Sequence, residues 1–138
     1  MGIQGSSNRD EVLFLSINAG AIWDKKADET NEFYREETYE KKDGSSGIRK
    51  GARYESVSGF ITGVRFASHP EYGESLNILI EDGDDKFVLS TQVDNRYCGD
   101  LMKMLLLIDY NKLVIIRPYD FEDAKKKRVM GVSIKPLS

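Results

Sequence analysis

The sequence predicts an all-β fold with one helix, in which five strands close as a barrel around an apolar interior. Three observations carry this. Residues 54–66 (YESVSGFITGVRF) outrun an ordinary strand of about five or six residues and are rich in aromatic and β-branched types, with Gly59 and Gly63 marking a bulge or sharp bend. Such a strand can serve two sheets. Residues 76–81 and 86–93 then alternate apolar and polar, joined by Asp82-Gly83-Asp84-Asp85, and an Asp-Gly pair between two strand runs signals a hairpin. Across residues 95–109 the period changes: Leu101, Met104, Leu105 and Ile108 fall on one helical face, with Asp94 or Asn95 as N-cap.

The remaining elements follow in chain order. Residues 1–10 form a flexible, glycine- and serine-rich lead-in, and residues 11–138 one domain, a length that can bury a core. In residues 11–24, Val12, Phe14, Ile22 and Trp23 give an additional strand interrupted by Ala19-Gly20-Ala21. Trp23 serves equally well as a core anchor or as an exposed platform for a base. Residues 25–53 make a protruding charged arm, a long hairpin in which Phe33, Tyr34 and Tyr39 stand among Arg35, Lys41, Lys42, Arg49, Lys50 and Arg53. It serves equally well as a solvated charged excursion with internal ion pairs or as a strand-binding arm, its acidic residues being the evidence against the latter, and Asp43-Gly44-Ser45-Ser46-Gly47 breaks it at the tip. Residues 67–75 are expected as a loop carrying His69 and Tyr72, because Pro70 and Gly73 fall within it. After the helix, residues 113–117 are an apolar strand disturbed by Pro118, residues 119–128 a polar loop and residues 129–135 the last strand. Phe60 and Phe87 are expected in the core, with Met102 and Met104 as filler.

Composition narrows the chemistry. A net charge of −3 hides an acidic stretch over residues 54–99 and a basic excess over residues 25–53 and 100–138, and a local basic groove matters more to a nucleic acid than the mean. No apolar run reaches the roughly 20 residues of a membrane span, and the N-terminus lacks a leader's apolar region, so a soluble, cytoplasmic protein is expected. Cys98, the sole cysteine, forms no internal disulfide and no thiolate zinc cluster. His69, the sole histidine, lacks a nucleophile or companion ligand to suggest catalysis. The acids Glu81, Asp82, Asp84 and Asp85 lack EF-hand spacing.

Long strand, hairpin, helix, strand, loop and strand is the order of the five-stranded OB-fold barrel, with residues 11–53 as an N-terminal extra strand and arm. With the segment NKLVIIRPYDFEDAKKKRVMGVSI (residues 111–134), residues 54–135 resemble a bacteriophage-type single-stranded DNA-binding protein of OB-fold. The resemblance implies a ligand lying on the second and third strands, between the first-to-second and fourth-to-fifth strand loops. Trp23, Tyr34, Tyr72, Tyr119 and Phe121 would stack on bases, while Arg53, Arg65, Lys86, Lys125, Lys126, Lys127 and Arg128 would meet phosphates. It implies a non-enzymatic protein, without cofactor or metal, that coats single-stranded DNA in replication, recombination or repair with little sequence preference. RNA, replication or recombination proteins and further copies of the chain are its other admissible partners. The chain stops at Lys135-Pro136-Leu137-Ser138 instead of the acidic tail of many such proteins, so recruitment through a tail is not expected. Two other classes stay open: a protein-interaction or assembly module, and a metal-dependent nuclease using the acids of residues 81–85.

Overall fold

A computed structural model describes residues 12–71 and 73–137. The lead-in expected over residues 1–10 and the candidate Tyr72 lie outside the described residues. Among these residues nine strands and one helix follow in order: β1 Val12–Asn18, β2 Ala21–Asp24, β3 Tyr34–Glu40, β4 Ser46–Tyr54, β5 Val57–His69, β6 Gly73–Asp82, β7 Asp85–Gln92, α1 Arg96–Leu105, β8 Val114–Glu122 and β9 Arg128–Pro136. They form one curled sheet, a half-barrel, in the order β3-β4-β2-β1-β7-β6-β5-β8-β9.

β5 does serve two partners. Val57 to Gly59 pair with β8, and Phe60 to His69 pair with β6. Gly59 sits at the exchange with φ +155°, and a Cβ there would lie 2.7 Å from Ile80 Cγ2 and 2.8 Å from the Glu81 carbonyl oxygen. No side chain fits where two backbones approach so closely. The register then shifts between Ile61 and Gly63, leaving Thr62 as the extra residue of a bulge.

The hairpin turn after Asp82 and the helix cap form as the sequence predicts. Asp82 opposes Asp85 with Gly83 at φ +62°, and the Asn95 side chain accepts the Tyr97 N–H at 2.9 Å. The arm is likewise a hairpin, β3 against β4, and the end of β4 joins the sheet beside β2.

Two expected loops are shorter than the sequence suggests. Residues 67–75 continue β5 and β6 almost to their turn, and Tyr119, Phe121 and Arg128 belong to strands, leaving residues 123–127 as the loop. Pro70 and Gly73 mark the turn itself. Pro118 is tolerated in β8 because it lies beyond Ile116, the last residue paired with β5, so its missing N–H breaks no ladder there.

The main departure from the expected closed five-stranded barrel concerns β7. Its second neighbour is β1, in parallel, with Val12 opposite Lys86 and Ser16 opposite Ser90, so the extra strand is built into the sheet. The outer edge of β9 meets α1, whose Asp100 carboxylate accepts the Val132 N–H at 3.2 Å. The half-barrel interior holds Leu15, Ile17, Ile22, Ile61, Leu76, Ile78, Ile80, Leu89, Ile116 and Val132, with Tyr97, Cys98 and Leu101 from α1 beneath. Phe87 packs against this core, but Phe60 is 40% exposed: it opposes Glu81 and shares the outer face. Met102 is exposed too and Met104 is half-buried, while the methionine packed against the core is Met130. Among the described residues no helix is long and apolar enough to cross a membrane.

Candidate functional site

Residues directly opposed across a ladder share a face, and faces alternate along each strand. The register therefore lays out the outer surface of β5, β6, β7 and β1 as rows. One row runs Val12, Lys86, Glu81, Phe60; the next runs Phe14, Val88, Leu79, Gly63. A third extends furthest, through Arg53, Trp23, Ser16, Ser90, Asn77 and Arg65.

The first row from Val12 to Glu81, the second from Phe14 to Leu79, and Asn77 with Arg65 at the end of the third line an open groove of about 520 Å³. Leu79 and Val88 form its half-buried floor, and Phe14, 59% exposed, stands at one wall. The Lys26 ammonium lies 5.9 Å from the Phe14 ring centroid, within cation–π range. Arg65 and Lys86 flank the apolar row on opposite sides, and Glu81 is the acid opposite Lys86. An apolar strip bounded by cations accepts a flat, hydrophobic group carrying anions along its path.

Arg65 and Lys86 are thus brought together, and Phe14, with Lys26 against its ring, joins them as a residue that sequence reasoning missed. A signal existed: β1 reads Val12-Leu13-Phe14-Leu15, apolar on both faces, so an outward apolar surface was legible in it.

Trp23 is corrected. It is fully buried, its indole Nε1 donates to the Asn18 carbonyl at 3.0 Å, and it offers no face to a base. The cover comes from the arm, because the Arg49 guanidinium sits 5.7 Å from the Trp23 ring and 4.8 Å from the Tyr39 ring. Arg49 also donates to Asn18 Oδ1 at 3.3 Å, which seats the arm against the β1–β2 turn. Arg53 is half-buried and paired with Glu37 at 3.3 Å, and the half-buried Tyr34 donates its hydroxyl to Glu36 at 3.1 Å. Both belong to the arm's own network and lie outside the groove's lining.

Tyr119 and Phe121 form a separate pair on β8, ring centroids 6.0 Å apart, with Phe121 53% exposed. The loop beyond them is organised by Asp123, whose Oδ1 accepts the N–H groups of Lys125 and Lys127 at 2.9 Å each. Lys126 adopts φ +61°, and the Lys125, Lys126 and Lys127 side chains are exposed. Arg128 differs from these, since it is engaged by Asp120 through two bonds of 3.0 and 2.7 Å. A guanidinium already held by a carboxylate gives a phosphate less.

That pair makes a pH prediction. The Arg128 hydrogen bond holds the Asp120 carboxyl below the usual carboxylate range. A depressed folded-state value contributes stability that is complete above the unfolded value near 4 and is lost as pH falls through the folded value. Thermal midpoints of the wild type and Asp120→Asn are expected to differ at neutral pH and to converge on acidification. A constant gap down to the lowest pH at which both fold would contradict it.

Among the described residues no three His, Cys, Asp or Glu side chains gather to hold a metal ion, and that includes Glu81, Asp82, Asp84 and Asp85. Compared with known proteins, the chain matches no family model, no curated protein and no solved structure.

Proposed function

We propose that this chain binds single-stranded nucleic acid, DNA foremost, across the outer face of β5, β6, β7 and β1, coating it with little sequence preference in replication, recombination or repair. The observation that carries the reading is the Phe14, Val88, Leu79 row lying between Arg65 and Lys86 in one groove. Stacking on an aromatic or apolar strip accepts any base, and flanking cations track phosphates. β5 to β9 with α1 are read as an OB-type barrel held open by β1, which makes β6 and β7 the second and third strands that carry oligonucleotides in that fold. Tyr119, Phe121, Lys125, Lys126 and Lys127 are a second contact zone in this proposal.

Fluorescence anisotropy with labelled oligothymidine at low salt tests it. Binding should weaken steeply as salt rises, and Arg65→Ala/Lys86→Ala should flatten the log–log slope by about 1.4, at roughly 0.7 per lost contact on a single strand. Phe14→Ala should weaken binding by about 1–3 kcal/mol and leave unfolding nearly unchanged, since that ring is exposed. An equal flattening with Lys125→Ala/Lys127→Ala would extend the path to the loop, whereas an unchanged slope would confine it to the groove. No anisotropy change with the wild type at low salt would sink the proposal in favour of a protein-interaction module.

A further inference from the structure

Leu106 and Leu107 follow α1 with 85% and 86% of their surfaces exposed. Leucine is among the residue types most often fully buried, and contiguous apolar side chains left in water mark an interaction surface. The backbone that presents them is pinned: the Leu107 N–H donates to the Met104 carbonyl at 2.9 Å, and the Tyr110 hydroxyl donates to the Leu105 carbonyl at 2.5 Å. The leucines are therefore held out from the body by a defined turn.

Leu107 itself is one wall of a groove of about 420 Å³, the others being Met104, Ile108, Val114, Ile134 and Pro136, and Leu106 projects beside it. That volume is within the range of pockets that enclose a small ligand, ample for a leucine side chain. Its rim carries both signs of charge, Asp109 on one side of the sequence turn and Lys112 with Lys135 on the other. One patch thus offers projecting apolar groups, a cavity to receive them, an acid and two bases.

We propose that this patch is a homodimer interface whose partner is a second copy of this chain. A two-fold contact sets one patch against itself, so it must be self-complementary. Here Leu106 of each copy enters the groove of the other, Leu107 closes against it from the wall, and Asp109 faces Lys112 and Lys135 together across the axis. A polyanion would find Asp109 on the rim and apolar walls within, so the patch does not suit nucleic acid. The interface is independent of the outer-face groove, because the two share no lining residue.

Sedimentation velocity of the full chain without nucleic acid, from low to high micromolar concentration, tests the proposal. The wild type is expected to show a reversible dimer, and Leu106→Glu/Leu107→Glu to sediment as a monomer with an unchanged thermal midpoint. Lys112→Glu, a change at an exposed rim residue, should weaken association by about tenfold and decides the matter if the leucine variant unfolds. A wild type monomeric at every concentration would overturn the proposal. So would a leucine variant that dimerises as well as the wild type, or a Lys112→Glu variant of undiminished affinity.

Discussion

Trp23→Ala is expected to cost about 3–5 kcal/mol of stability, the range for removing a large buried aromatic. The whole indole is enclosed, between Ser16 on β1 and Arg53 on β4 in the register and beneath the Arg49 guanidinium. Truncation empties a site that the arm cannot collapse to fill, because β4 is fixed by its own ladder to β2. It also leaves Arg49 without one of its two aromatic faces and the Asn18 carbonyl without its indole donor. Urea unfolding measures the cost. The same residue provides an optical check: emission from the sole tryptophan should be blue-shifted in the free protein and indifferent to oligothymidine. Red, quencher-accessible emission would return Trp23 to the binding surface.

Gly59→Ala is expected to be nearly as damaging, at about 3 kcal/mol. Holding a side chain at a positive φ of this kind costs about 1–3 kcal/mol. Overpacking a close contact adds a similar amount, because the new methyl meets the Glu81 carbonyl, which is ladder backbone and cannot rotate away as a side chain would. Gly63→Ala is the matched control, since the nearest atoms to a Cβ there belong to Leu79 at 3.7 Å, an ordinary contact. Equal urea midpoints for Gly59→Ala and the wild type would show that β5 needs no glycine at its exchange of partners. A changed m-value would instead point to a denatured-state effect.

These two positions show what the sequence could and could not tell. Gly59 was legible because a glycine inside an apolar run has few reasons to be there, and Asn95 because a cap needs only local geometry. The hairpin at Asp82-Gly83 was local in the same sense. Trp23 was ambiguous because its burial depends on Arg49, a residue of the arm far along the chain that no periodicity connects to it. Phe60 was misassigned to the core for a different reason. The bulge at Thr62 resets the alternation, so Phe60 and Phe66, which look in phase, oppose Glu81 on the outer face and Leu76 on the inner face respectively. The groove is half visible in the sequence: Arg65 and Lys86 stand out by charge, but Phe14 becomes their neighbour only through the parallel pairing of β1 with β7, and nothing in a strand's sequence announces its partner. Arg128 was read as a phosphate contact from its place in a basic run, and only the fold reveals Asp120 beside it.

The parallel ladder between β1 and β7 also bears on how the chain folds. Every other ladder is antiparallel, and most of those ladders are reached through a turn or a short excursion. Joining Val12 to Lys86 requires the two ends of a long intervening segment to meet, an entropy cost that grows with the logarithm of its length. The β3–β4, β5–β6, β6–β7 and β8–β9 hairpins have low contact order and can precede it; this ladder cannot form early. Until it does, β7 keeps an open edge beside Val88 and Phe87, the kind of unpaired strand that recruits another chain. Refolding yield should therefore depend on protein concentration most strongly before β1 arrives, and the strand that completes the proposed binding face also closes an edge open to aggregation.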